Sequence, residues 1–171
     1  MRKDALAALL GLAAADFEIR VENASGDCFY LCVVHSLPEQ VLSVASLRDV
    51  VASGLSVEAF ADLQAVCFAV PGYEWVSGKT LEEARSELRK AEKVWADECA
   101  IKTIVDSLGL CLLVVNEGGR GSGGKASLDR IGDPEGEIVV LNRTRREHYN
   151  LVVLGEGVDK VKLVGLFTKL A

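Results

Sequence analysis

The sequence predicts an α+β fold, a mainly helical first half packed on a small central sheet built by the second half. Three observations carry that reading. Apolar residues recur at helical spacings through residues 44–70. From Leu110 onward the chain changes to short apolar runs, "LCLLVV", "IVVLN" and "HYNLVVL", separated by Gly-rich or charged turns. The 171 residues suit one domain, 1–171, with a core of its own.

The N-terminal "MRKDALAALLGLAAAD" imitates a secretory signal, with a basic start and an Ala-rich end. Its apolar run is short and Asp4 interrupts it. The expected element is an amphipathic helix with Leu6, Leu9, Leu10 and Ala13 as its buried stripe. No run is long enough to span a membrane. "FEIRVEN" (Phe17 to Asn23) alternates apolar and charged residues and reads as a short strand. The turn Ser25-Gly26-Asp27 opens a helix through about Leu37, which Pro38 stops.

Leu47, Val50, Val51, Leu55, Phe60, Leu63 and Val66 mark the next helical region, ended by "PGYEWVSGK". Thr80 with Glu83 forms a capping box for a charged helix from Thr80 to Val94. "WADECAIKTIVDSLG" reads as a helix ending at Gly109. Strands are expected over Leu110–Val115, Ile138–Asn142, His148–Leu154 and Val161–Phe167, with a long polar loop before the second and the basic turn "RTRRE" before the third.

A formal net charge of −6 argues against broad binding to nucleic acid or anionic membrane. Five cysteines without small-domain spacing suggest reduced thiols, and Cys67, Cys99 and Cys111 read as core residues.

Cys28, Cys32 and His35 share one helix face at i, i+4 and i+7. Seven residues span roughly 10 Å along a helix, so the three cannot reach one zinc ion, and His35 cannot act as a base for Cys28. Cys28 falls in the first turn of its helix, where unpaired N–H groups and the dipole favour a thiolate and lower its pKa. The same N–H groups suit a developing oxyanion, Gly26 leaves room for a substrate backbone, and Asp27 reads as an N-cap.

The only other histidine is His148. Strand geometry turns Asn150 to the same side, giving a nucleophile, a base and an orienting amide in Cys28, His148 and Asn150. On the residues alone, His148-Tyr149-Asn150 also reads as a plain polar strand start. Separately, the Gly-rich loop 118–125 nearly makes a phosphate-cradling loop, giving a nucleotide-binding alternative. Ala126 stands where that motif needs a hydroxyl, and Gly132, Pro134 and Gly136 argue against a following helix.

"GDCFY", "WADE" and "HYN", in that order and spacing from about Glu22 to Leu154, resemble the ovarian-tumour (OTU) family of cysteine proteases, most of them deubiquitinases. The resemblance implies a papain-like OTU fold and no cofactor or metal. It assigns Cys28 as nucleophile, His148 as base and Asn150 as orienter, with Ser25, Gly26 and Asp27 shaping the oxyanion site and substrate channel. Ser25 departs from the Asp usual three residues before the cysteine. Trp95 matches a tryptophan to which we assign a structural role. The implied reaction is hydrolysis of isopeptide bonds after the ubiquitin C-terminus. The implied partner is ubiquitin or polyubiquitin, or ubiquitin-like modifiers, bound by a helical arm at about 44–93. Glu58, Asp62 and Tyr149 are candidate ubiquitin contacts, with Glu82, Glu83 and Glu87 as further acidic members of the arm. A monomer acting in the cytoplasm is expected, in the host cytosol for a viral or bacterial effector. A catalytically weak or inactive ubiquitin-binding module is the alternative within the same fold.

Overall fold

The structure is a computed structural model that describes residues 2–118, 125–144 and 148–169. Its elements run α1 (Lys3–Leu10), β1 (Phe17–Arg20), α2 (Cys28–Ser36), α3 (Val44–Gly54), α4 (Val57–Val66), α5 (Leu81–Arg89), α6 (Glu98–Leu108), β2 (Leu110–Asn116), β3 (Ser127–Gly132), β4 (Glu137–Arg143), β5 (Tyr149–Leu154), α7 (Lys160–Gly165) and β6 (Thr168–Lys169). The strands form one sheet in the order β1-β5-β4-β2-β3-β6. β2 and β4 are parallel, and β5 returns antiparallel to β4 with Asn142 opposite Asn150.

Alternation along the strands loads both faces of the sheet. Leu110, Leu112 and Val114 of β2, with Val139 and Leu141 of β4, face α2, α3 and α6. Cys111, Leu113 and Val115, with Val140 and Val152, face α1 and α7. Each fully buried aliphatic side chain contributes about 1.5–3 kcal/mol over its exposed state. The α+β expectation of a small sheet flanked by helices is met.

Several local expectations need correction. The region 44–70 is two helices, because Ser56 starts a new cap on the Ala59 N–H. The Thr80 capping box forms, but its helix ends at Arg89 rather than Val94. The "WADE" helix begins at Glu98, capped by Asp97. Val161–Phe167 is not a strand. Asp159 caps the Lys162 N–H, and Leu163, Val164 and Phe167 are buried at helical spacings.

β3 lies where a polar loop was expected. It carries one apolar residue to each face, Leu128 and Ile131, too few to register as a strand pattern. In α1 the buried residues are Leu6, Ala7 and Leu10, while Ala13 lies past the helix end and is exposed. Cys67 and Cys111 are core residues as expected, but Cys99 is exposed on the first turn of α6, and all five cysteines are free thiols. Among the described residues no helix is long and apolar enough to cross a membrane.

Candidate active site

The loop into α2 is wound by its own backbone. Ser25 accepts twice, its Oγ from the Asp27 N–H at 3.3 Å and its carbonyl from the Cys28 N–H at 3.2 Å. Cys28 is then the first residue of α2, only 1% exposed. Burial pushes its thiol above the ordinary range, and the Asp27 carboxylate pushes in the same direction. The N–H groups of Tyr149, Phe29 and Cys28 itself pull it back only in part. The expected lowering at a helix N-terminus is therefore overturned: desolvation outweighs the N–H groups.

The same Tyr149 N–H marks where the two ends of the chain meet. Tyr149 opens β5 and follows His148, whose carbonyl accepts from the Thr144 N–H at 2.8 Å. His148 Nε2 lies 3.0 Å from Asn150 Oδ1, so the two side chains share a side as the strand period requires. Asn150 Oδ1 also accepts from the Glu22 N–H at 3.2 Å, which fixes the amide with its oxygen toward the ring. A carbonyl oxygen only accepts, so Nε2 is the donor in this contact. Nδ1 is buried, with no hydrogen-bond partner among the described residues.

Asp27 is the N-cap residue by position, but its carboxylate makes no cap hydrogen bond. It accepts instead from Arg48 Nε at 2.6 Å and from the Glu92 N–H at 3.2 Å. Gly26 is also explained differently. A Cβ there would stand 2.9 Å from the Glu92 backbone, so the missing side chain admits the chain's own 88–94 turn. His35 is held by Glu22 at 2.8 Å and by Arg20, consistent with a structural role.

Sequence reasoning missed Arg48, Glu92 and Glu22. Arg48 did leave a signal: it sits among Leu47, Val51 and Ala52 on the buried face of α3.

No protein-family model matches the sequence, and neither does any curated protein. Solved structures do match. An OTU deubiquitinase from Wolbachia pipientis, solved bound to ubiquitin, superposes with a TM-score of 0.62 over 82% of this chain and 97% of its own, at 11% identity. The OTUD1 OTU domain gives 0.56 over 81% and 86%, at 13% identity. The viral OTU domain protease from Dera Ghazi Khan virus gives 0.53 over 82% of each chain, at 12% identity. The chain has the OTU-domain fold.

Within this OTU fold a cleft of about 260 Å³ opens beside Tyr149, lined also by Tyr73, Trp95, Asp97, Glu98 and Arg143. A second pocket of about 200 Å³ shares Tyr149 and Arg143 and adds Asn116 and Asp129. Tyr149 is mostly buried, edge-on to Phe29 at 5.7 Å, and offers the cleft only part of its ring. Trp95 is 45% exposed and lines this cleft.

Glu58 and Asp62 are exposed on α4. Glu82, Glu83 and Glu87 are already engaged by Arg85, by the Thr80 cap and by Lys90, which leaves them less charge for a partner. Most of the Gly-rich loop, Gly119 to Gly124, lies outside the described residues. The element after Lys125 is strand β3, so no helix N-terminus follows to cradle a phosphate. Among the described residues no three His, Cys, Asp or Glu side chains cluster to hold a metal.

Proposed function

We propose that this chain is a cysteine deubiquitinase that hydrolyses the isopeptide bond after the ubiquitin C-terminus. The observation that carries the reading is the setting of His148: Nε2 lies 3.0 Å from Asn150 Oδ1, and Nδ1 is buried with no hydrogen-bond partner among the described residues. The Cys28 thiol lies against the N–H of the next residue, Tyr149. An unpartnered ring nitrogen one residue before the N–H that meets the thiol can serve as its general base.

In this reading Cys28 Sγ attacks the carbonyl carbon of the terminal glycine as its proton passes to His148 Nδ1. The oxyanion forms beside the Ser25-Gly26-Asp27 loop at the start of α2. The imidazolium returns the proton to the leaving lysine amine, leaving a thioester. Water, deprotonated by His148, then releases ubiquitin. Because burial keeps the resting thiol neutral, transfer to His148 does the activation. The cleft beside Trp95 and Tyr149 receives the ubiquitin tail, and the arm at 44–93, with Glu58 and Asp62, receives its body. The ubiquitin-bound OTU relatives support that partner. The viral and Wolbachia relatives support a host–pathogen setting.

The test is covalent labelling by ubiquitin carrying a C-terminal electrophile, followed by a panel of di-ubiquitins. Wild type labels and cleaves, while Cys28→Ala, folded by circular dichroism, does neither. Labelling that persists in Cys28→Ala would remove the mechanism. The depth of Cys28 favours one second reading, an inactive ubiquitin-binding module. Ubiquitin binding with no labelling of wild type would establish it.

A further inference from the structure

Arg48 is the one buried cation among the described residues, at 0% exposed. A guanidinium in an apolar interior costs several kcal/mol unless its donors are met. Here they are met from two separate segments. Nε donates to Asp27 Oδ1 at 2.6 Å, and Nη2 donates to the Gly26 carbonyl at 3.0 Å, both in the loop that delivers Cys28. Nη1 donates to the Leu88 carbonyl and Nη2 also to the Val94 carbonyl, each at 3.0 Å, bracketing the turn after α5. The guanidinium carbon stacks 4.6 Å above the Tyr30 ring.

The bracketed turn is itself unusual. Glu92 has φ 59°, the only non-glycine residue with positive φ among those described. That conformation aims its N–H at Asp27 Oδ1, 3.2 Å away, and lays its backbone where a Gly26 side chain would stand. A well-packed apolar group would stabilise this interior at least as well as a buried ion pair. What the pair supplies is placement, on the residue immediately before the nucleophile.

We infer that Arg48 is a positioning residue for Cys28, anchoring the Gly26-Asp27 segment on the 88–94 turn and cancelling the Asp27 charge beside the sulfur. This rests on the reading of Cys28 as the nucleophile. The titratable and charged groups around the sulfur are few. Asp27 precedes it, Cys32 lies one turn on in α2, and His148 precedes Tyr149 at the start of β5. Arg48 acts from α3 through Asp27, with Tyr30 beneath it, while Glu22, beyond Cys32, is paired with His35 and Arg20.

The test reads the pH midpoint of iodoacetamide alkylation at Cys28 by site-resolved mass spectrometry, a measurement that needs no ubiquitin. Asp27→Asn leaves the Arg48 cation unbalanced and lowers the midpoint by about one pH unit. Arg48→Met/Asp27→Asn removes both charges and returns the midpoint close to wild type. Arg48→Met alone, where it folds, raises it. Arg48→Lys keeps the charge but not the fork, so its midpoint stays near wild type while labelling by the ubiquitin electrophile slows about tenfold. A Cys28 that stays unmodified throughout, or midpoints of Asp27→Asn and the double variant equal to wild type within about 0.2 unit, overturns the inference. Failure of wild type to react with the ubiquitin electrophile sinks only the ubiquitin reading and leaves the iodoacetamide comparison standing.

Discussion

The two ends of the sheet are built on opposite principles. At one end β2 and β4 finish, β5 begins and α2 starts. Every buried polar or charged side chain among the described residues, Glu22, Asp27, Arg48, Asn142 and Asn150, gathers around this end. At the other end β2 and β4 begin, and glycines close the gaps. Gly132, at φ 91°, would put a Cβ 2.2 Å from the Leu110 carbonyl oxygen, and Gly136 would put one 2.4 Å from that of Gly109. The glycine end fixes strand register with no chemistry available to it. The polar end accepts desolvated charge that apolar packing would avoid, and that cost accompanies the candidate catalytic groups. Substitutions at the two ends should therefore fail differently.

The largest effect should come from the glycine end. Gly132→Ala imposes both a disfavoured φ and a backbone clash, so it should destabilise by about 3 kcal/mol. That is a fall of roughly 6–12 °C in Tm for a domain of this size. Turnover per folded molecule should stay at the wild-type value. A variant that folds normally but loses activity would erase the contrast between the ends.

Asn150→Ala is the counterpart at the polar end. It frees the His148 ring and its tautomer and leaves the buried Glu22 N–H unpaired. The expected loss is tenfold to a hundredfold in kcat, with KM little changed, and on the order of 1–3 kcal/mol in stability. Rescue of kcat by Asn150→Asp, whose carboxylate accepts the same two hydrogen bonds, would sharpen the assignment. A kcat unaffected by Asn150→Ala would separate His148 from its proposed orienter.

The polar end should also set the alkaline limit. Burial holds the Tyr30 hydroxyl up to about 12, while an unfolded chain releases that proton near 10. The folded state keeps the proton longer, so stability is intact below pH 10 and is lost between pH 10 and 12. The amount is on the order of 2–3 kcal/mol. Urea midpoints measured across that window should fall in wild type and fall less in Tyr30→Phe. Equal slopes would show that the buried ring does not govern alkaline unfolding.

The same contrast explains what the sequence disclosed. β2, β4 and β5 are legible because apolar runs encode burial locally, and the Thr80 box because a cap is decided within four residues. Cys28, His148 and Asn150 stand out in the sequence as a spaced set, and the structure brings His148 and Asn150 together across one strand pitch. Arg48 to Asp27 spans 21 positions, and Glu92 to Asp27 spans 65. No local pattern announces such pairings, so Asp27 read as a cap and Gly26 as a substrate passage. Cys28 acidity was misjudged for a related reason: the helix start is visible in sequence, but the depth of the sulfur depends on β5 arriving from more than a hundred residues away.

The smallest effects should fall outside both ends, on α4. Glu58 and Asp62 are exposed, so any attraction to a basic partner surface is screened by solvent and salt. They should not be equal. Glu58 sits in the first turn of α4, where its own N–H and the Ser56 hydroxyl hold its carboxyl below the usual range. Part of its charge is thus spent on the helix start. Asp62 lies a turn further on and is the better placed to meet a partner. Asp62→Ala should raise KM for di-ubiquitin about two- to fivefold, with kcat unchanged and with the difference vanishing in high salt. Glu58→Ala should do less. A change in kcat from either would mean that α4 acts on the polar end itself rather than only on docking.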